Sequence, residues 1–353
     1  MPLYNEKQKS NFGSNLMKNA RQKLFMSLTA ISVLMLNTLI VHAHEYTARI
    51  SGHWPPKHQS AIHAQMFADE VTKRSNGRLK VEFFPSKQLG FGIRDVMGAV
   101  TSGAVEMGGV VGVVSFPSIN KNFNVASFPG MFDSYGEQRG FFMDSEMGKT
   151  IWSDITAKTN SKLIMYNPVG PVMTLTAKHE LTGVEAMKGL KARRLIKFEE
   201  PMWDVFGANR ISLPTGEVYT ALQTGMIDTI NSPPGSIEAY SWWEFLKYAQ
   251  KPYQYFADAY LMANKTWFDS LPSELQDLIV EVGNEVGAIS TNTILDAGES
   301  TLQKFQDKGG VVTVLSGSEK RKFDKLMKEK LMPLMKDLID QDAFEAAQAY
   351  ASN

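Results

Sequence analysis

Residues 188–237 read KGLKARRLIKFEEPMWDVFGANRISLPTGEVYTALQTGMIDTINSPPGSI. Their punctuation predicts a strand over 191–195, a helix ending at Gly207, a strand over 209–213, a helix over 217–223 closed by Gly225, and a strand running into Asn231-Ser232-Pro233-Pro234. Strands alternating with short helices make an α/β unit. Arg193 and the Asn231-Ser232 turn then fall at or near strand ends. The crevice beyond such ends is where open α/β sheets bind ligands, and a guanidinium placed there suits a carboxylate guest.

Working outward, the same punctuation recurs earlier. Ala99-Val100-Thr101-Ser102-Gly103-Ala104-Val105-Glu106 matches Ala221-Leu222-Gln223-Thr224-Gly225-Met226-Ile227-Asp228 class by class. A strand (46–50), a loop Gly52-His53-Trp54-Pro55-Pro56, a helix with Ile62, Met66, Phe67 and Val71 inward, a strand (79–84) and a helix (94–101) precede the first copy. Two related α/β units are the simplest reading. After them, Ser273 and Gln276 suggest a capping box opening a helix to about Gln306, with Leu275, Ile279, Val282, Val286 and Ile289 as its buried stripe. It would span roughly 50 Å, enough to brace two domains. A strand over 311–315 and a second capping box at Ser316 and Glu319 follow, opening a basic helix that Pro333 interrupts or kinks.

The amino end reads as an export signal. Lys18, Arg21 and Lys23 precede an apolar run over 24–40, and Val41-His42-Ala43 resembles a cleavage site, so residues 1–43 are expected to be removed before His44. Translation starting at Met17 would give the signal a more usual length, and an uncleaved anchor is the alternative. Removing 1–43 takes five Lys/Arg and one Glu from 37 of each, leaving 32 basic and 36 acidic groups in 310 residues, a formal net of −4. No basic stripe for nucleic acid is left. With no cysteine, stability must come from a core rather than disulfides, which a chain of this length supplies.

Catalytic patterns are missing: no G-x-S-x-G, no Walker loop, no H-E-x-x-H, and Gly90-Phe91-Gly92 is only a fragment of a dinucleotide loop. His53, His58 and His63 are five apart, which spreads them around a helix instead of aligning them for a metal. The expectation is a protein that is not an enzyme, with no cofactor and no metal.

Gly77-Arg78-Leu79-Lys80-Val81, Pro85, Gln88-Leu89-Gly90, Phe128-Pro129, Lys188-Gly189-Leu190-Lys191-Ala192-Arg193 and above all Gly216-Glu217-Val218-Tyr219-Thr220-Ala221-Leu222-Gln223-Thr224-Gly225 closely resemble the extracytoplasmic solute-binding subunits of tripartite ATP-independent periplasmic (TRAP) transporters, of the C4-dicarboxylate-binding type. The resemblance covers essentially all of the chain after residue 43. It implies a two-lobed, type II-like periplasmic binding protein with two mixed sheets flanked by helices, expected as a monomer. Lobe I would comprise 44–169 plus about 257–297, and lobe II 170–256 plus about 298–353. It also implies an organic acid ligand and integral membrane partner subunits; a sensing receptor feeding a signalling protein is the alternative with the same cleft.

In that family the arginine of K-G-L-K-x-R grips the ligand carboxylate, which falls on Arg193. A second arginine is commonly found where this chain has Val172; Ser232 stands where asparagine often contacts ligand, and Val110 to Val114 occupy a region that often offers a polar group. Such a cleft is less cationic than its relatives', so the expected ligand is a monocarboxylate with an apolar or aromatic body. Arg193, Thr215, Asn231 and Ser232 are the expected polar contacts, with Val172, His53, Trp54 and Trp243, beside Trp242, meeting the body.

Overall fold

A computed structural model describes residues 45–351 of the 353, so the expected signal segment lies outside the described residues. Residues 46–351 form one compact unit. Its strands are β1 (Tyr46–Ser51), β2 (Leu79–Phe84), β3 (Met107–Val111), β4 (Ser161–Thr176), β5 (Lys191–Arg194), β6 (Asn209–Ser212), β7 (Thr229–Ser232), β8 (Tyr248–Asn264) and β9 (Val311–Val314). The main helices are α1 (Gln59–Arg74), α2 (Val96–Ser102), α3 (Tyr135–Asp144), α4 (Glu146–Thr159), α5 (Glu199–Val205), α6 (Val218–Gln223), α7 (Pro234–Ala239), α8 (Ser273–Asp307), α9 (Gly317–Leu326) and α10 (Gln341–Ala351).

The sheet runs β2-β1-β3-β8-β4-β7-β5-β6, with β9 also on β8. β1 is parallel to β2 and β3, and β5 is parallel to β6 and β7, whereas β8 is antiparallel to β3 and β4, and β4 to β7. The fold is α/β and two-lobed, as the resemblance implied. Where two separate mixed sheets were expected, hydrogen bonding is continuous, because β4 and β8 have 16 and 17 residues and serve both halves. Nearly every residue of β4 is buried, the polar Asn167, Thr174 and Thr176 among them. Its pairing with β8 shifts register at Leu163/Met165, Pro168/Gly170 and Val172/Thr174. Pro168 and Pro171 have no N–H to give the ladder, and Gly170, at φ 139, lies where a Cβ would fall 2.6 Å from that of Pro233.

The internal repeat is structural. Gly103 and Gly225 close α2 and α6 at φ 74 and 67, a left-handed turn that glycine adopts freely. Glu106 accepts the backbone N–H of Arg49 at 2.8 Å, and Asp228 that of Lys191 at 3.2 Å, so each acid ties the end of its unit to that unit's first strand.

α8 joins the halves through its packing. Leu275, Ile279, Val282 and Val286 lie in a core with Ile50, Phe67 and Val71, while Leu302 and Phe305 lie in another with Leu175, Val218 and Ile230. Ile289, expected in the stripe, is 44% exposed; Ser290 and Ile294 carry the face onward. The capping box at Ser273 is replaced by Pro272 as N-cap, whereas Ser316 does cap α9. In α1, His63, Ala64, Phe67 and Val71 face inward and Ile62 outward. Before Pro333 the helix widens into a π turn over Met327–Leu331, relieving the clash its ring would make with the carbonyl four residues back. No helix among the described residues is long and apolar enough to cross a membrane.

Candidate functional site

Arg193 is 2% exposed. It sits near the carboxyl end of β5, paired with Ile211 of β6, and the turn leaving β6 folds over it. Nε donates to the Leu213 carbonyl at 3.1 Å and Nη2 to Thr215 Oγ1 at 2.8 Å. Trp203 Nε1 donates to the Arg193 carbonyl at 3.0 Å, fixing the backbone. These are the hydrogen bonds the guanidinium makes among the described residues, out of five N–H groups it carries. Burial pushes the Arg193 pKa down to about 10, while the fields of Glu199, Tyr255 and Tyr240 push it back up. The group stays cationic at neutral pH.

Glu199, at the start of α5, is 3% exposed. Its Oε2 accepts the backbone N–H groups of Leu195 at 2.7 Å and Ile196 at 3.3 Å, and Oε1 accepts Asn231 Nδ2 at 3.3 Å. Burial raises its pKa against the pull of Arg193 and these donors. Asn231 Oδ1 accepts Thr174 Oγ1 at 2.9 Å and Gln254 Nε2 at 3.4 Å. Ser232, beside it on β7 and opposite Met173, is 4% exposed. Gln254 Oε1 is buried without a partner. The alternation of β4, β7 and β8 thus delivers a polar floor around one cation.

A row of rings runs from one half into the other. His53 lies 4.0 Å from Trp54, Trp54 stacks 5.8 Å from His58, His58 is 6.5 Å from Tyr240, and Tyr240 stacks on Trp242 at 4.9 Å. His58 Nε2 meets Ser236 Oγ at 3.4 Å, and Arg94 Nη2 donates to the Leu195 carbonyl at 3.1 Å, so the halves touch at both points. Trp54 lies flat on Gly109, where a Cβ would come within 2.6 Å of its ring. His53 Nδ1 is buried with no partner, and burial pulls the His53 and His58 pKa values down to about 3. Next to the site a cavity of about 610 Å³ is lined by Arg94, Lys121, Arg194 and Lys197 together with Val113 and Val114.

Of the residues singled out in the sequence, Arg193 and Thr215 touch, Asn231 joins them through Glu199, and Val172 lies opposite Tyr255, whose phenol feels the Arg193 charge. His53 and Trp54 stand in the ring row. Trp243 does not join it: it packs under the Lys308 ammonium, 4.9 Å from its ring, while Trp242 is buried behind Tyr240. Sequence reading missed Glu199, Tyr240, Tyr255, His58 and Gln254. Glu199 had a visible signal, an acid in the first turn of a helix that follows the arginine strand. The others had none.

The sequence profile described as bacterial extracellular solute-binding protein, family 7, matches residues 50–337. The chain belongs to that family. Family 7 proteins are solute-binding receptors rather than enzymes, and they work outside the cytoplasm. Among similar family 7 proteins is the C4-dicarboxylate-binding periplasmic protein DctP of Rhodobacter capsulatus, 27% identical over 247 residues, 70% of this chain and 73% of that protein. Two crystal structures share the fold. The Bordetella pertussis extracytoplasmic solute receptor DctP7, which binds pyroglutamic acid, is 19% identical with a TM-score of 0.78, covering 87% of this chain and 99% of the other. A Sulfurospirillum deleyianum TRAP periplasmic solute-binding protein with bound succinate is 21% identical with a TM-score of 0.80, covering 87% and 99%.

Proposed function

We propose that this chain captures a monocarboxylate with an apolar or aromatic body between its lobes and delivers it to the integral membrane subunits of a TRAP transporter. The observation that carries the reading is Arg193, a buried cation whose guanidinium is only partly used by the protein. A planar fork pairs bidentately with a carboxylate, each hydrogen bond to a charged group being worth about 1.5 to 3 kcal/mol. Val172 supplies no second cation, so a further ligand charge would be buried unpaired, and the rings of Tyr240, Tyr255, Trp54 and His53 offer flat apolar surface instead.

In this reading lobe I is 44–169 plus about 257–297, and lobe II is 170–256 plus about 298–353. The division is supported by the register shift between Pro168 and Gly170, whose partners on β8 are Asp258 and Ala257. Residues 1–43 act as a cleaved signal, and the ligand is met in the periplasm. The test is a melting-shift panel of benzoate, pyroglutamate, orotate, branched-chain 2-oxo acids, succinate and galactonate. A monocarboxylate is expected to raise the melting temperature most; succinate ranking first would overturn the ligand class, and no shift with any acid would overturn the function.

A further inference from the structure

The polar floor holds two charges where a binding site for an anion needs only one. Glu199 and Arg193 attract each other through the buried interior, yet no hydrogen bond joins their side chains among the described residues. Glu199 is held by Leu195 and Ile196 N–H on Oε2 and by Asn231 on Oε1, with the Tyr255 phenol also in its field. With Glu199 ionised, its charge and that of Arg193 cancel. A carboxylate placed on the free side of the guanidinium would leave one negative charge uncompensated, which burial penalises. The other cation facing Arg193 is Arg94, whose side chain reaches across to the Leu195 carbonyl from an exposed position where water screens it. Glu200 is not part of the balance, being paired with Arg194 at 2.9 Å.

We propose that Glu199 takes up one proton from solvent when Arg193 receives a carboxylate, and that this exchange selects ligands carrying a single negative charge. The proton goes to Oε1, because Oε2 already holds two backbone N–H donors while Oε1 holds one long bond from Asn231. The site is then neutral again: guanidinium, ligand anion and carboxylic acid. A second ligand carboxylate would find no second acid to neutralise. Burial already disfavours the charged form of Glu199, and an anion nearby disfavours it further. The idea rests on the carboxylate reading of Arg193 above.

The test is calorimetry with benzoate and pyroglutamate as probes, in two buffers of different ionisation enthalpy, between pH 6 and 8. Uptake of about one proton per ligand is expected, with affinity falling about tenfold per pH unit where empty-site Glu199 is charged. Glu199→Gln, which mimics the acid in shape and charge, is expected to bind the same probe with no proton uptake and with affinity independent of pH. Its fold is checked by melting, since Leu195 and Ile196 keep a carbonyl acceptor. Binding to the natural chain without proton uptake would overturn this proposal and leave the carboxylate reading standing. If neither probe nor any acid of the panel binds, both fall together.

Discussion

Arg193 shows how one residue becomes a site only through what surrounds it. Its neighbour Arg194 is paired with Glu200 and lines the adjacent cavity; the alternation of β5 sends one guanidinium inward and the other outward. Arg193→Ala is expected to weaken ligand binding at least a hundredfold, about 1.4 kcal/mol per tenfold. It also leaves Glu199 buried without its counter-charge, so the melting temperature should fall as well; calorimetry and melting on the same sample separate the two losses. Asp258 makes a second prediction. Tyr166 at 2.5 Å, Tyr260 at 3.2 Å and Gln138 all donate to it, yet burial raises its pKa to about 7. Its folded pKa lies above the unfolded value of about 3.9, so the stability it contributes is fully present below about pH 4 and lost as pH rises through about 7. The melting temperature of Asp258→Asn, which stays neutral at this position, should therefore rise relative to that of the natural chain between pH 5 and pH 8. His53 and His58 act in the opposite sense, being neutral in the fold and losing stability as pH falls below about 6.5.

At the scale of elements, α8 is placed against β4 by two bare positions on its face, Gly283 and Gly287, a Cβ at the second falling 3.0 Å from the Tyr166 carbonyl oxygen. A Cβ at Gly283 would lie 2.3 Å from the Ile164 carbonyl oxygen of β4, a backbone atom that cannot move aside alone. At Gly298 the nearest atom is Pro234 Cγ at 3.8 Å, an ordinary contact. Gly283→Ala is expected to destabilise by about 1–3 kcal/mol through overpacking. Gly298→Ala should be neutral or add up to about 1 kcal/mol from helix propensity. Thermal melting of both variants checks the contrast; equal effects would mean that α8 is not held against β4 at Gly283. The sequence showed that α8 exists and roughly where it ends. It did not show the outward turn of Ile289, because a 35-residue helix crossing two cores must change its buried face where Ser290 meets His63 at 2.9 Å.

Across the whole molecule, the halves share the strands β4 and β8 and the helix α8, and they also touch through His58 with Ser236, Arg94 with Leu195, Phe128 with Phe198, and Lys121 with Asp340. A continuous ladder shared by both halves suits a hinge in which His53 and Trp54 of one half come down on the cation of the other. Small-angle scattering should show the radius of gyration of the ligand-free protein exceed that of the saturated one. An unchanged radius, with binding established by calorimetry, would mean that the lobes do not move on capture.

The local order of strands, helices and turns around Arg193 was legible from the sequence, because alternation, glycine stops and prolines act within a few residues. The internal repeat was legible for the same reason, its Gly103 and Gly225 turns being local devices. Tertiary structure decided what long range brings together: one ladder instead of two sheets, Glu199 beside Arg193, Tyr255 opposite Val172, and Tyr240 between His58 and Trp242. Those juxtapositions depend on the register of β4 against β8, and Pro168, Gly170 and Pro171 shift it by steps that no local pattern in either strand records.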